Sequence, residues 1–438
     1  MGFALDVDHW MRDAVTRVKR GPTGPSPRPR TMEPFRVRSP MDRPPRGNAA
    51  EVFTTFLRLG LTSFGGPIAH IGYFRREIVE RRRWVTEAQF AELLGLAQFL
   101  PGPASSQTGF GLGLLRAGWG GALAAFVAFT APSALLLFAF AMLLPDIPAA
   151  SAGVLVHGLK LVAVAVVAHG VLGMARRLCP DALRAAIAAL GAFAILAAGS
   201  AWMQLAVVAA GALAGLALCR DARTPPAEAP PLPHGRRTGF VLLAIYALLL
   251  VALPVAARAL GGPAALAWAF YRAGALVFGG GHVVLPLLQQ AVVEPGWLSR
   301  DEFLAGYGAA QAVPGPMFTL AAYLGARIGD GLGAVGASAL ALGAIFLPGL
   351  LLISAVLPLW RSLSSHPAAA RAVAGINAAV VGLLAAAFYD PVWTSAIASP
   401  LDAGIAIVGF AMLAAWRAPA LAVVAWCVAA AFARSALG

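Results

Sequence analysis

One motif occurs twice, and that duplication limits the architecture more than any other feature of the 438 residues. FLRLGLTSFGG at 56–66 is matched by FYRAGALVFGG at 270–280, which aligns Arg58 with Arg272, Gly60 with Gly274 and Phe64-Gly65-Gly66 with Phe278-Gly279-Gly280. WVTEAQF at 84–90 is matched by WLSRDEF at 297–303, and QFLPGP at 98–103 by QAVPGP at 311–316. Three matches in one order at nearly constant spacing define two homologous halves, because self-similarity at a fixed period means one structural unit used twice. The halves are joined by RDARTPPAEAPPLPHGRR at 220–237. The expected organisation is a disordered basic tail over 1–50, a first repeat over 51–219, a linker and connecting helix over 220–260, and a second repeat over 261–438.

Composition says which solvent the repeats meet. Hydrophobic residues make up 59% of the chain and charged residues 12%, where a soluble domain carries about 25%. Mean hydropathy is +0.75, and apolar blocks near the ~20 residues needed to cross a bilayer recur throughout. The expected fold is an all-α polytopic membrane protein. Full spans are expected near 120–144, 153–175, 183–199, 203–219, 239–260, 332–358, 372–389, 393–416 and 418–433. The first 50 residues show no apolar h-region, so the first membrane segment is expected to direct insertion.

A net charge of +13 would suggest nucleic acid in a soluble domain. Here it follows the loops. The tail is net +5 and Arg75–Arg83 net +3, whereas the matching 294–302 stretch of the second half is net −2. Since short cytoplasmic loops are enriched in Lys and Arg, the tail and Arg75–Arg83 are expected inside and the two repeats in opposite senses. Inverted repeats of this kind are a common plan of secondary transporters, which bind substrate near the midplane between the halves.

With both the tail and Arg75–Arg83 inside, the segment between them cannot cross completely. Gly65, Gly66 and Pro67 are expected to break it into a re-entrant hairpin, as are Pro101, Gly102 and Pro103 in the next segment. Gly279, Gly280 and Gly281, then Pro314, Gly315 and Pro316, repeat both breaks. Irregular backbone at membrane depth survives only where protein or a water-filled cavity satisfies it, so four paired breaks point to a polar cavity. Ser105 and Ser106 open one half-helix after its break and Thr319 the other, and free amides at a helix start suit an anion. Gln98 and Gln311 precede the PGP turns at the same offset. The plainer reading is that these glycines and prolines are tight turns packed helix to helix.

Ionisable groups inside membrane segments are costly and point to function. Arg58 and Arg272 carry planar guanidinium forks suited to a tetrahedral oxyanion; the plainer reading is snorkelling, or pairing with Glu51 or Glu92. Lys160 lies mid-span, with Asn377 expected opposite. Of His70, His157, His169 and His282, the last, directly after three glycines, ranks first for a substrate or proton role, although a lone intramembrane histidine more often bonds a neighbouring helix. Trp84 and Trp297 are expected to anchor at the interface.

Other chemistries lack their residues. Cys179, Cys219 and Cys427 form no CxxC pair, and no metal-ligand motif appears. The only two lysines, Lys19 and Lys160, sit in no Walker A loop. GFGLG at 109–113 lies in an apolar helix without the strand that a dinucleotide site needs. No cofactor and no enzymatic role is expected.

The constellation of FLRLGLTSFGGPIAHIGYFRREIVERRRW and QFLPGPASSQ in the first half, with FGGGHVVLPLLQ, QAVPGP and GINAAVVGLL in the second, closely resembles the two-domain chromate ion transporters, over nearly all of 51–434. The resemblance implies a bacterial inner-membrane carrier that exports chromate, driven by membrane potential or a proton gradient, and so confers chromate resistance. It marks Gly65, Gly66, Pro67, Gln98, Pro101, Gly102, Pro103, Gly279, Gly280, Gly281, Gln311, Pro314, Gly315 and Pro316 as family positions. Sulfate, a tetrahedral dianion of similar size, is the alternative cargo. The expected partners are the oxyanion, the lipid bilayer and a second copy in a homodimer, without nucleic acid.

Overall fold

Apolar runs that meet lipid leave the backbone no hydrogen-bond partner but itself, and the chain answers with helices throughout. The computed structural model describes residues 47–437 except 65, 199–200, 220–233, 278–283, 330 and 361–366. Within them run α1 (Ala49–Thr62), α2 (Gly66–Phe74), α3 (Glu87–Phe99), α4 (Ala104–Leu143), α5 (Ala149–Leu178), α6 (Ala182–Ala198), α7 (Ala201–Leu218) and α8 (Arg236–Leu260). The second half supplies α9 (Gly262–Leu276), α10 (Val284–Val292), α11 (Arg300–Ala312), α12 (Leu320–Ile328), α13 (Gly333–Val356), α14 (Pro367–Ala387), α15 (Pro400–Ala414) and α16 (Ala420–Leu437). No strand occurs among the described residues. The expected tail lies almost wholly, and the Pro-rich linker mostly, outside them.

The order of elements repeats: α1, α2 and α3 correspond to α9, α10 and α11. α4 is two helices in one, because Ala117 and Gly118 leave helical geometry at φ −139° and +65°. Its two arms correspond to α12 and α13, which Gly329 and Gly331 separate at φ +69° and +72°. The same capping box opens α3 (Thr86 with Gln89) and α11 (Ser299 with Glu302).

Among the described residues, five helical stretches are long and apolar enough to cross a membrane: 104–146, 150–178, 236–260, 333–359 and 368–396. The expected span at 393–416 is corrected. Residues 394–396 close the preceding stretch, and α15 starts only at Pro400, so its 15 residues cover about 22 Å of the ~30 Å core. Large apolar side chains on α8, among them Phe240, Leu248, Val251 and Leu260, are exposed, as a lipid-facing surface requires.

The first hairpin closes on itself. Phe56 of α1 meets Phe74 at the end of α2 with ring centroids 5.5 Å apart. At its base, Glu51 accepts from Arg116 Nη2 at 3.0 Å and from Trp84 Nε1 at 3.2 Å. Arg82 and Arg116 stand over the Trp84 ring at 5.6 and 5.2 Å. Trp84 is therefore a buried clamp rather than the expected interfacial anchor. Because Glu51, Arg82 and Arg116 meet, the arm from α1 to α2 and the arm from α3 to the break in α4 start and finish at one end.

The two copies interlock. α6 and α7 of the first half pack on α14 of the second, while α15 and α16 of the second pack on α5 of the first. A Cβ on Gly158 would stand 2.9 Å from Val428 Cα, and Gly375 lies directly on Gly211 and Gly215. Small residues at these crossings let backbones approach, which is how helices associate without a hydrophobic drive in lipid.

Glu77, in the π-helical turn Arg75–Arg81, is partly buried, which alone would raise its carboxyl. Hydrogen bonds from Arg82 Nε at 2.7 Å and Arg81 Nη1 at 3.0 Å outweigh that and hold it below its ordinary 4.5. A depressed carboxylate stabilises above its unfolded value and loses that contribution as pH falls through the folded one. Glu77→Gln is expected to lower the thermal midpoint in detergent at pH 7, with the gap to the parent closing below pH 4.5.

Candidate functional site

The broken segments of the two halves meet each other. Helix α1 stops at Ser63 and α2 starts at Gly66 with φ +73°. The amide of Gly315, in the other half's PGP turn, donates to the Ser63 carbonyl at 3.0 Å. In the mirrored contact, the amide of Gly102 in the first PGP turn donates to the carbonyl of Val277, the last residue before the second FGG, at 2.7 Å. Ser63 and Val277 are repeat mates, and so are Gly102 and Gly315. Each break thus satisfies an orphaned backbone group of the other repeat, which is the condition for irregular backbone at membrane depth.

Both PGP glycines are forced. Gly102 and Gly315 have φ +124° and +103°, where any Cβ is strained. A Cβ at Gly102 would also stand 2.9 Å from Gly349 Cα, and one at Gly315 would stand 2.8 Å from Ser133 Oγ. Gly349 directly follows Pro348 in α13 and Ser133 directly follows Pro132 in α4, so each turn seats behind the proline of the other half's long helix.

The two junctions differ chemically. Around Ser63 and Gly315 gather His70, Ser105 and Ser133. The fully buried His70 donates from Nε2 to the Ser63 carbonyl at 3.1 Å, leaving Nδ1 to face the Ser105 hydroxyl at 3.5 Å. Its ring stands edge-on to Phe129, centroids 5.2 Å apart. Around Gly102 and Val277 the chief polar group is Gln107, whose Nε2 donates to the carbonyls of Pro101 and Gly349, each at 3.0 Å. The repeat mates of His70, Ser105 and Ser133 are Val284, Phe318 and Gly349, so among the described residues these hydroxyls and this imidazole have no counterpart at the other junction.

Buried polar atoms without a hydrogen-bond partner include Ser63 Oγ, Ser106 Oγ and Thr130 Oγ1, together with the Nε2 donor of Gln311 four residues before Gly315. Ser105 and Ser106 lie in the first turn of α4, whose opening amides precede the first intrahelical bond, from Gln107 N to Pro103 O at 2.9 Å. The fully buried Thr319 turns inward instead, donating to the Pro316 carbonyl at 2.6 Å. Among the described residues this is a nest of donors with no carboxylate bonded to it, an arrangement suited to an anion. No His, Cys, Asp and Glu cluster of metal-holding size occurs among the described residues.

Of the residues selected from sequence, the structure brings Gly66, Pro101, Gly102, Pro103, Ser105, Ser106, Gln311, Pro314, Gly315, Pro316 and Thr319 to these junctions. Gly65, Gly279, Gly280, Gly281 and His282 lie outside the described residues, as does the Pro67 side chain. Arg58 is exposed on α1 and makes no ion pair among the described residues. Arg272 is half-buried within electrostatic range of Glu294. Gln98 stands near the surface, accepting from the exposed Arg177 at 2.9 Å.

Lys160 departs from expectation. It is no lone cation facing Asn377, since it pairs with Asp301 at the start of α11 at 2.9 Å. Asn377 keeps a buried Oδ1 without a partner. His157 is committed to the buried Asp402 at 2.8 Å, and His169 stacks edge-on near Phe410. Sequence reasoning placed His70 below His282 and did not select Ser63 or Ser133, because only the meeting of the two halves gives them their surroundings. A 310 Å³ cavity elsewhere, between α6, α7, α10 and α14, is edged by Gln204, Gln289, Glu294, Arg300 and Asp390.

The family described as "Chromate transporter" matches the chain twice, over 50–216 and 264–433. The chain is 31% identical over 335 residues to a "Probable chromate transport protein" of Synechococcus elongatus, covering 76% of this chain and 81% of that relative. It is 29% identical over 389 residues to a "Chromate transport protein" of Pseudomonas aeruginosa, covering 85% and 89%. No solved structure matches. Two family matches in tandem, across paired broken helices in a multi-pass membrane protein, place this chain in the chromate transporter family.

Proposed function

We propose that the chain is a secondary carrier that exports chromate across the bacterial inner membrane and so confers chromate resistance, driven by membrane potential or a proton gradient. The observation that carries this reading is the donor-rich junction at Ser63 and Gly315, where buried hydroxyls lack partners at the first turn of α4. A tetrahedral dianion there would accept from Ser63, Ser105 and Ser106, the α4 amides and Gln311. Arg58 and Arg272 supply the compensating positive charge, which a bare dianion in a low-dielectric site requires. The basic tail and Arg75–Arg83 put the N-terminus in the cytoplasm, with the repeats inverted about the seat. Sulfate shares the charge and shape that this seat reads, and competition against labelled chromate in one preparation separates the two cargoes.

Inverted membrane vesicles energised by respiration are expected to accumulate labelled chromate; vesicles that take up none overturn the assignment. In them, Ser105→Ala combined with Ser106→Ala is expected to raise KM roughly tenfold, the loss of about one charge-assisted hydrogen bond, with the protein still in the membrane. Arg58→Ala or Arg272→Ala is expected to weaken uptake by a similar factor, and unchanged uptake removes the arginines from the seat. Gly315→Ala, which meets Ser133 and a positive φ together, is expected to lose both transport and several degrees of thermal midpoint.

A further inference from the structure

One helix in each repeat has the same face and opposite surroundings. On α11 that face is Asp301, Leu304 and Gly308, at helical spacing, and it lies on α5. Asp301 pairs with Lys160, Leu304 is fully buried, and Gly308 sits so close to Leu159 that any Cβ would overlap its carbonyl oxygen. The alignment that sets Trp84 on Trp297 puts Ala88, Ala91 and Gly95 of α3 at these positions. The alignment that sets Gly158 on Gly375 puts Ile376 and Asn377 of α14 at the positions of Leu159 and Lys160.

The counterparts do not meet. Ala88, Ala91 and Gly95 are all exposed, a Cβ on Gly95 would touch nothing described within 4 Å, and α3 makes no extended contact with α14. Ile376 is only half-buried where Leu159 is buried, and Asn377 Oδ1 finds no hydrogen-bond partner where Lys160 has Asp301.

Resting on the transport reading above, we infer that α3 docks on α14 in the alternate state of the carrier, with Ala88, Ala91 and Gly95 against Ile376 and Asn377, while α11 leaves α5. The described state has the α11 side closed and the α3 side open. An Ala-Ala-Gly face lets two backbones come as near as Gly308 and Leu159 already do. Interchangeable contacts on homologous helices make two states of comparable energy, and exchanging them opens the central junction to one side and then the other.

The test uses the full chain in membranes, with Cys179, Cys219 and Cys427 replaced by serine. Lys160→Cys with Asp301→Cys reports the described contact, and Ala88→Cys with Asn377→Cys reports the inferred one. Under a copper–phenanthroline oxidant without chromate, both pairs are expected to cross-link, each arresting chromate flux until reductant restores it. Cross-linking of the first pair but not the second overturns the inference. Independently, Gly95→Ala is expected to leave the thermal midpoint unchanged or raised, since its Cβ meets nothing described, yet to lower flux roughly tenfold by blocking the closed contact. Flux equal to the parent's overturns it. Because cross-linking is read without substrate, two intact cross-links in a parent that moves no chromate would count against the cargo and leave the exchange of contacts standing.

Discussion

Everything in this molecule depends on how interrupted helices satisfy their backbones away from water. A broken helix in lipid exposes amides and carbonyls that cost several kcal/mol each if left unpaired. Here the remedy is reciprocal: Gly315 bonds to Ser63, and Gly102 to Val277, so each repeat completes the other. Neither set of breaks is self-sufficient. The PGP glycines that look like loose turns in sequence are points of close approach between halves, held at φ values that exclude side chains and seated behind Pro132 and Pro348.

That reciprocity sets the stage, but the chemistry is lopsided. Duplication alone would give two identical junctions, and the chain has instead gathered His70, Ser63, Ser105 and Ser133 at one and left Val284, Val277, Phe318 and Gly349 at the corresponding places of the other. Among the described residues, a symmetric framework therefore carries one junction richer in polar side chains than the other. The ion pairs underline how sparingly charge is used: Lys160, Arg116 and Arg327 are each held by a carboxylate. What lines the junction itself, among the described residues, is a set of neutral donors, with Arg58 and Arg272 on the helices that lead to the breaks.

Much of this was legible in the sequence. The repeat, the helical class and the breaks at the two PGP turns follow from composition, spacing and the conformational needs of Gly and Pro. What was not legible depended on contacts between segments far apart in the chain. Lys160 read as a solitary cation because Asp301 is distant in sequence. Trp84 read as an interfacial anchor because the Glu51 and Arg116 that enclose it belong to other arms. Gln98 and Gln311 occupy one position of the motif yet differ in burial and partner, since sequence identity between repeats cannot say which helix is closed. The kink at Ala117 and Gly118, hidden inside a continuous apolar run, needed its counterpart at Gly329 and Gly331 to be seen as a hinge between two helices.

The exchange of helices between halves has a consequence for synthesis. α6 and α7 enter the bilayer well before α14, whose Gly382 and Gly375 they meet, has left the ribosome. Their small-residue faces must wait in lipid, unpaired, through the insertion of the connecting helix and most of the second repeat. α5 waits longer still, until the last two helices arrive. Assembly is therefore completed from the C-terminal end, and a chain truncated anywhere in the second repeat leaves unmatched helices in the first.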